Sequence, residues 1–328
     1  MAYFIICCLA SNLFAVQPFL LSNDVTKTLT EIHQKYKNVK DGNNANYIPE
    51  LAKVNPAYFG IVITTIDGDV KSVGDASVPF AIESISKPFV YALALQDYNE
   101  KILAEKIGLN ATGHSFNSVI AIEEKLNHLQ NPLVNAGAIQ ITGLIKGKNS
   151  EEKWQRVLNF LNKLSDGKLF LSNTVYQSEM ATNQHNRAIA ELLNSYHMMD
   201  SDPLDALDRY TKACSVMVTA RQLALMGAVL ANKGIHPITH QQIISPEHVK
   251  DVLSELVVSG LYENSGAWFW SVGIPAKSGV GGSILAIVPN QMAIVVFSPP
   301  LDEFGNSVRA QQVIKNLSDR YHLHLLKK

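Results

Sequence analysis

Residues 283–297 read Ser-Ile-Leu-Ala-Ile-Val-Pro-Asn-Gln-Met-Ala-Ile-Val-Val-Phe, two apolar runs separated by a Pro-Asn-Gln turn. Short runs rich in β-branched residues and closed by turn formers predict two antiparallel strands, Ser283–Val288 and Met292–Phe297. Near the other end, Ile61-Val-Ile-Thr-Thr-Ile66, the Asp67-Gly68 turn and a second short strand predict a hairpin over residues 60–73. The spacing of Leu29, Ile32, Tyr36 and Val39 predicts an amphipathic helix over 24–40, ended by Asp41-Gly-Asn-Asn44. Val313, Ile314 and Leu317 predict a closing helix over 308–321. Residues 87–232 carry mostly helical patterns, broken by short Gly-containing segments and without a strand signal. Strands at both ends with helices between imply an α/β (α+β) fold. Its antiparallel sheet draws on both termini and is flanked by helices, with an inserted all-helical subdomain. The division follows: a sheet-containing part over 23–84 and about 233–328, and a mostly helical part over about 85–232, after an extension over 1–22.

Where the helical part begins, the chain reads Ser84-Ile-Ser-Lys87, bordered by Phe80, Ile82, Ile85, Phe89, Val90 and Leu93. A serine and a lysine three residues apart share one helix face, so the amine can reach the hydroxyl. Serine is a poor nucleophile near neutral pH and needs a base beside it. Lysine serves as that base when burial disfavours its ammonium form. Pro88 is tolerated only in a helix's first turn, which places Ser84 at a helix N-terminus among unpaired N–H groups.

The spacing alone is weak. Ser150-Glu-Glu-Lys153 and Ser165-Asp-Gly-Lys168 match it too, the first reading as a capping segment and the second as a polar turn. What distinguishes the copy at Ser84 is its apolar setting and a second string, Lys277-Ser-Gly-Val-Gly-Gly282, before a strand. Its glycines let a backbone N–H approach a ligand closely. A donor there, paired with the N–H of Ser84, makes an oxyanion hole. Ser-x-x-Lys at a helix start with Lys-Ser-Gly beside an edge strand is the pattern of the penicillin-binding and β-lactamase folds.

Further collinear stretches narrow this to one family. They are Tyr47-Ile-Pro-Glu-Leu-Ala52, Ser84-Ile-Ser-Lys-Pro88, Asn131-Pro-Leu-Val-Asn-Ala-Gly-Ala-Ile139, Ser178-Glu179 with Asn186-Arg187, Tyr210 ahead of Cys214-Ser215, Tyr262, and Pro275-Ala-Lys-Ser-Gly-Val280. In that order, from about Asp24 to the C-terminus, the chain resembles the serine-dependent glutaminases. The resemblance implies a β-lactamase/transpeptidase-like fold and hydrolysis of L-glutamine to L-glutamate and ammonia through an acyl-serine.

By position, the resemblance makes Ser84 the nucleophile and Lys87 the general base. Tyr262 and Tyr47 become active-site tyrosines, Tyr262 passing a proton to the leaving ammonia. Asn135, Glu179, Asn186 and Tyr210 become substrate-binding residues, with Val280 giving a backbone contact. These types suit glutamine: one buried acid pairs with the α-ammonium, while neutral Asn and Tyr donors hold the α-carboxylate without repelling the glutamate product. Read singly, Asn135 is a loop-satisfying residue, Glu179 a surface helix residue, and each tyrosine a half-buried core residue. Two departures stand out: Glu83 precedes the nucleophile where the family often has glutamine, and Ser283 follows the glycine pair where a third glycine is common.

Composition excludes other classes. Apolar residues make up 47% and charged residues 17%, and 28 basic and 29 acidic residues leave a net charge of -1, mixed along the chain. No basic stripe offers itself to nucleic acid. The three cysteines (Cys7, Cys8 and Cys214) give no metal spacing or disulfide framework. Pro237 interrupts the His236/His240 pair, so no metal and no cofactor are expected. Residues 1–22 are apolar but lack a positive n-region and are interrupted by Ser11, Asn12, Gln17 and Pro18. The expected compartment is the cytoplasm, with secretion or membrane association through residues 1–22 as the alternative. The expected assembly, from the resemblance, is a homodimer or homotetramer.

Two rivals define the comparison. A penicillin-recognising serine acyl-transferase, DD-peptidase or β-lactamase, carries a Ser-Asp-Asn or Tyr-x-Asn element. Ser201-Asp202-Pro203 and Tyr176-Gln177-Ser178 are poor versions of it. A non-catalytic amino-acid-binding protein of the same fold has no need of both Ser84 and Lys87.

Overall fold

The computed structural model describes residues 23–327, so the expectations for residues 1–22 lie outside it. Its strands are β1 (Gly60–Thr65), β2 (Val70–Gly74), β3 (Phe80–Ala81), β4 (Phe170–Leu171), β5 (Val216–Val218), β6 (Ala276–Gly279), β7 (Ser283–Val288) and β8 (Met292–Phe297). Five form one antiparallel sheet in the order β2-β1-β8-β7-β6, drawing on both ends of the chain.

The continuous apolar runs of β1, β7 and β8 follow from burial on both faces. Side chains alternate across a strand. Ile61, Ile63, Ile284, Ala286, Ile294 and Val296 therefore pack with the first helix (Asn23–Tyr36) and the last (Val308–Tyr321). Val62, Leu285, Ile287, Val295 and Phe297 turn to the opposite face, against the helices Ser86–Asp97 and Ala220–Ala231. Each such side chain, fully buried, contributes about 1.5–3 kcal/mol. The last helix spans Val308–Tyr321, whereas the first ends at Tyr36, short of Val39.

Two expectations need correction. The inserted region is not all-helical, because β4 and β5 lie within it and join β3 in a second sheet, ordered β3-β5-β4. Phe80 pairs with Val218, Ala81 with Met217, and Met217 also faces Phe170. Strands of two or three residues show no hydrophobic period and merge into their helical surroundings. Second, the α-helix begins at Ser86, and Ser84 sits in a preceding 3₁₀ turn, Glu83–Ile85. Pro88 still falls in the helix's first turn, where its missing N–H leaves no bond unmade.

Among the described residues no helix is long and apolar enough to cross a membrane.

Candidate active site

The small sheet gathers the site. β3 leads into the turn bearing Ser84; β4 leads, through the N-cap Ser172, into the helix Asn173–Thr182 bearing Glu179; β5 follows the helix Pro203–Cys214 bearing Tyr210. Ile82 N–H donates to Val216 O at 2.9 Å and Ser172 N–H to Ser215 O at 3.1 Å, tying the three segments where their side chains converge.

A cavity of about 190 Å³ opens there, and Tyr47, Ser84, Asn135, Glu179, Asn186, Tyr210 and Val280 all line it. Lys87 and Tyr262 stand behind its wall. Ser84 is 6% exposed, Lys87 3% and Tyr262 6%, whereas Tyr47 is 54% exposed and sits at the rim. The rim segment is tied to the Glu179 helix, because Glu50 N–H donates to Ser178 Oγ at 3.2 Å.

Lys87 Nζ donates to Asn135 Oδ1 at 2.7 Å and to Leu133 O at 3.3 Å. The same Asn135 oxygen accepts from the Tyr210 hydroxyl at 3.0 Å, and Asn135 Nδ2 donates to Asn186 Oδ1 at 2.9 Å. Asn135 stands at the start of a wholly buried helix, Asn135–Leu144, its own N–H held by Phe116 O at 2.8 Å. Burial lowers the Lys87 ammonium to about 8, against the opposing pull of Cys214 and Glu83. A neutral amine is thus accessible just above neutral pH.

The glycine turn brings Val280 to Ser84. A Cβ at Gly281 would lie 2.2 Å from Ala81 O, so only glycine permits this approach. Gly282 N–H closes the turn on Gly279 O at 3.0 Å, with Gly282 at φ +94. Lys277, fully buried, spends its donors on Gly260 O at 3.0 Å and Ser278 O at 2.8 Å. Its Nζ lies 4.0 Å from the Tyr262 ring centroid. Burial and then the charge of Lys87 push the Lys277 ammonium well down. Lys277 therefore braces the tyrosine rather than reaching the cavity. Tyr262 holds a left-handed backbone at φ 56, donates its hydroxyl to Ser278 O at 3.3 Å, and lies within hydrogen-bond reach of Ser84. Burial raises its phenol far above the ordinary range, so it acts as a neutral hydroxyl.

Glu179 accepts from Ser215 Oγ at 2.7 Å, and burial pushes its carboxyl up to about 7. Glu83, Glu179 and Cys214 bring ligand-type atoms within 4.8 Å of one another. Burial raises both carboxyls and the Cys214 thiol together.

Sequence reasoning passed over Phe116, Asn117, Asn183 and His185, which also line the cavity. Phe116 packs on the Tyr262 ring at 4.6 Å between centroids. None sits in a stretch with a chemical pattern of its own. Ser215 carried a signal only as the residue after Cys214.

The family model Glutaminase matches residues 42–326. A protein of Colwellia psychrerythraea named Glutaminase is 47% identical over 301 residues, covering 92% of this chain and 97% of that protein. A solved structure of a probable glutaminase superposes with a TM-score of 0.91 at 43% identity, covering 94% of this chain and 100% of the other. The structure of Mglu in its tris and glutamate form superposes with a TM-score of 0.90 at 35% identity, covering 94% and 69%.

Proposed function

The chain belongs to the glutaminase family, and on that premise we propose that the cavity at Ser84 is where it hydrolyses L-glutamine to L-glutamate and ammonia. The observation that carries the assignment is the convergence, in one cavity, of a serine, a carboxylate and neutral amide and phenol donors, with the buried Lys87 amine bonded to Asn135 of its wall. The family match removes the penicillin-recognising and non-catalytic alternatives.

In this reading the Lys87 amine, freed of its proton, takes the proton of Ser84 Oγ as that oxygen attacks the substrate's side-chain carbonyl. Charge developing on the carbonyl oxygen meets the N–H groups of Ser84 and Val280. Tyr262, within reach of Ser84, passes a proton to the departing ammonia. The Lys87 ammonium returns that proton to Tyr262 and is a neutral amine again. Water then attacks the acyl-serine with Lys87 as base, and the proton passes on to Ser84 Oγ as the ester bond breaks. Glu179 receives the α-ammonium; Asn135, Asn186 and Tyr210 hold the α-carboxylate, and Tyr47 closes over the rim. Lysine deprotonation and Glu179 ionisation both favour neutral to mildly alkaline pH.

The sheet part and the helical part are read as one catalytic domain with the site at their seam. Trp270 and Leu326, 83% and 77% exposed, give a homodimer or homotetramer an apolar surface to cover. Sedimentation velocity on the wild type distinguishes these assemblies from a monomer. The cytoplasm is the proposed compartment, and mass measurement of the mature N-terminus tests it against export through residues 1–22.

The deciding experiment measures ammonia and glutamate released from L-glutamine with a chelator present, beside Ser84→Ala. Turnover that survives loss of the serine hydroxyl would sink the acyl-serine mechanism.

A further inference from the structure

Glu83 immediately precedes the nucleophile, is 3% exposed, and holds a left-handed backbone at φ 51. That conformation is unfavourable for a residue with a side chain and persists where surrounding packing enforces it. Here the carbon chain of Glu83 lies along the glycine turn, with its Cγ 3.3 Å from where a Cβ at Gly281 would stand. The carboxyl lines the substrate cavity with Glu179, and the two carboxyls lie within hydrogen-bond reach of each other. Glu83 Oε1 is buried and receives no donor from the protein, while Glu179 has the Ser215 hydroxyl. Two buried carboxylates in contact cannot both stay ionised, and a proton held between them is the donor that Glu83 Oε1 lacks.

We propose that Glu83 and Glu179 form a single carboxyl dyad sharing one proton, and that this dyad, rather than Glu179 alone, receives the α-ammonium and sets the pH range in which the amino acid binds. The inference rests on the reading of Glu179 as the ammonium's partner.

The charge balance is specific. With one proton the dyad carries one negative charge, matching one ammonium; with two it carries none. The titratable groups facing Glu83 are Glu179 from the helix Asn173–Thr182, Cys214 from the helix Pro203–Cys214, Lys87 from its own following helix, Tyr47 from the rim and Tyr262 from the turn after the helix Pro246–Ser259. Burial and then Glu179 raise the Glu83 carboxyl well above its ordinary range, with Lys87 opposing, and the Glu179 carboxyl rises to about 7. Below that pH the empty dyad holds two protons, and an entering ammonium drives one of them out to solvent. Binding of the amino acid therefore strengthens as pH rises through about 7.

Glu83→Leu takes away the hydrogen bond from Glu83 that holds the Glu179 carboxyl down, so Glu179 ionises only at higher pH. The test is the dissociation constant of the product L-glutamate, a non-reacting ligand, measured calorimetrically from about pH 5.5 to 8 in buffers of different ionisation enthalpy. Wild type is expected to bind about tenfold more weakly at pH 6 than at pH 8, releasing close to one proton per glutamate near pH 6. Glu83→Leu is expected to vary by more than about thirtyfold over the same range and to go on releasing a proton above pH 7. Superimposable profiles for the two proteins would overturn the dyad, and so would wild-type binding without proton release, which needs no variant to fold. Glu179→Gln is the separate control: unchanged glutamate affinity there overturns the placement of the ammonium itself.

Discussion

Lys87 Nζ donates to Asn135 Oδ1 at 2.7 Å, so the proposed base is held by a side chain from another helix. Asn135 is also bonded to Tyr210 and Asn186. One amide therefore connects the amine to the residues read as gripping the α-carboxylate. Neutrality matters here: an amide oxygen positions the amine, whereas a carboxylate in its place would stabilise the ammonium.

That contrast gives the first prediction. With Lys87 lowered to about 8, kcat/KM for L-glutamine should rise with an apparent pKa near that value, since the base works deprotonated. Asn135→Asp sets a negative charge on the amine and should move this limb to higher pH by about one unit or more. Asn135→Ala should lower kcat/KM by about a hundredfold, without that displacement. A pH–rate series on the three proteins checks it, and an Asn135→Asp limb at the wild-type position would remove Lys87 as the titrating base.

Lys87→Ala and Ser84→Ala should each lower kcat by about a thousandfold or more while the far-UV circular dichroism stays that of the wild type. Lys277→Ala should act differently, because its amine touches Gly260 O, Ser278 O and the Tyr262 ring. Its loss leaves Gly260 O with only Ser278 N–H at 3.2 Å and Ser278 O with only the Tyr262 hydroxyl at 3.3 Å, and it empties the space against the Tyr262 ring, so thermal stability should fall along with kcat. Equal melting temperatures for Lys277→Ala and Lys87→Ala would argue against this division of labour.

The large sheet was legible because its strands are long enough to state their environment. β7 and β8 are buried on both faces, and an uninterrupted apolar run is what such burial demands. Ser84, Lys87 and the glycine turn were legible from residue type and setting, the other site residues only through their order along a familiar pattern. The small sheet was not legible: Phe80–Ala81, Phe170–Leu171 and Val216–Val218 are too short for any period, yet they align the segments bearing Ser84, Glu179 and Tyr210. The Glu83 backbone was equally silent, since its left-handed turn is enforced by tertiary packing and runs against its own preference.

Ser215 offers a test of that small sheet's role. Its Oγ lies 2.7 Å from Glu179 Oε1 and 2.9 Å from Thr211 O, on the residue that joins the Tyr210 helix to β5, and its single proton goes to Glu179 when that carboxyl is ionised. Ser215→Ala removes a donor from the carboxylate form, so the Glu179 carboxyl should climb further above about 7. KM for glutamine near pH 7 should rise about threefold to tenfold with a smaller change in kcat, and raising the pH should recover the loss. A fall in kcat at constant KM would place Ser215 in the chemical step instead.

The last prediction concerns stability, far from the cavity in sequence and chemistry. Glu255 is 4% exposed on the helix Pro246–Ser259, and its Oε2 has no hydrogen-bond partner in the protein. Burial first, then the nearby Asp251, raises its carboxyl from 4.5 to about 8. The folded state thus binds a proton that the unfolded chain has already lost between those two values. Stability from this group is full below the unfolded value and is lost as pH rises through about 8. Glu255→Gln keeps the volume and never ionises. It should leave the melting temperature nearly unchanged around pH 5 and raise stability by about 1–3 kcal/mol around pH 9, where the wild type confines an unpaired charge. Thermal melts of both proteins across that range decide it, and a difference in melting temperature that does not grow with pH would show that the Glu255 carboxylate finds solvent or a cation after all.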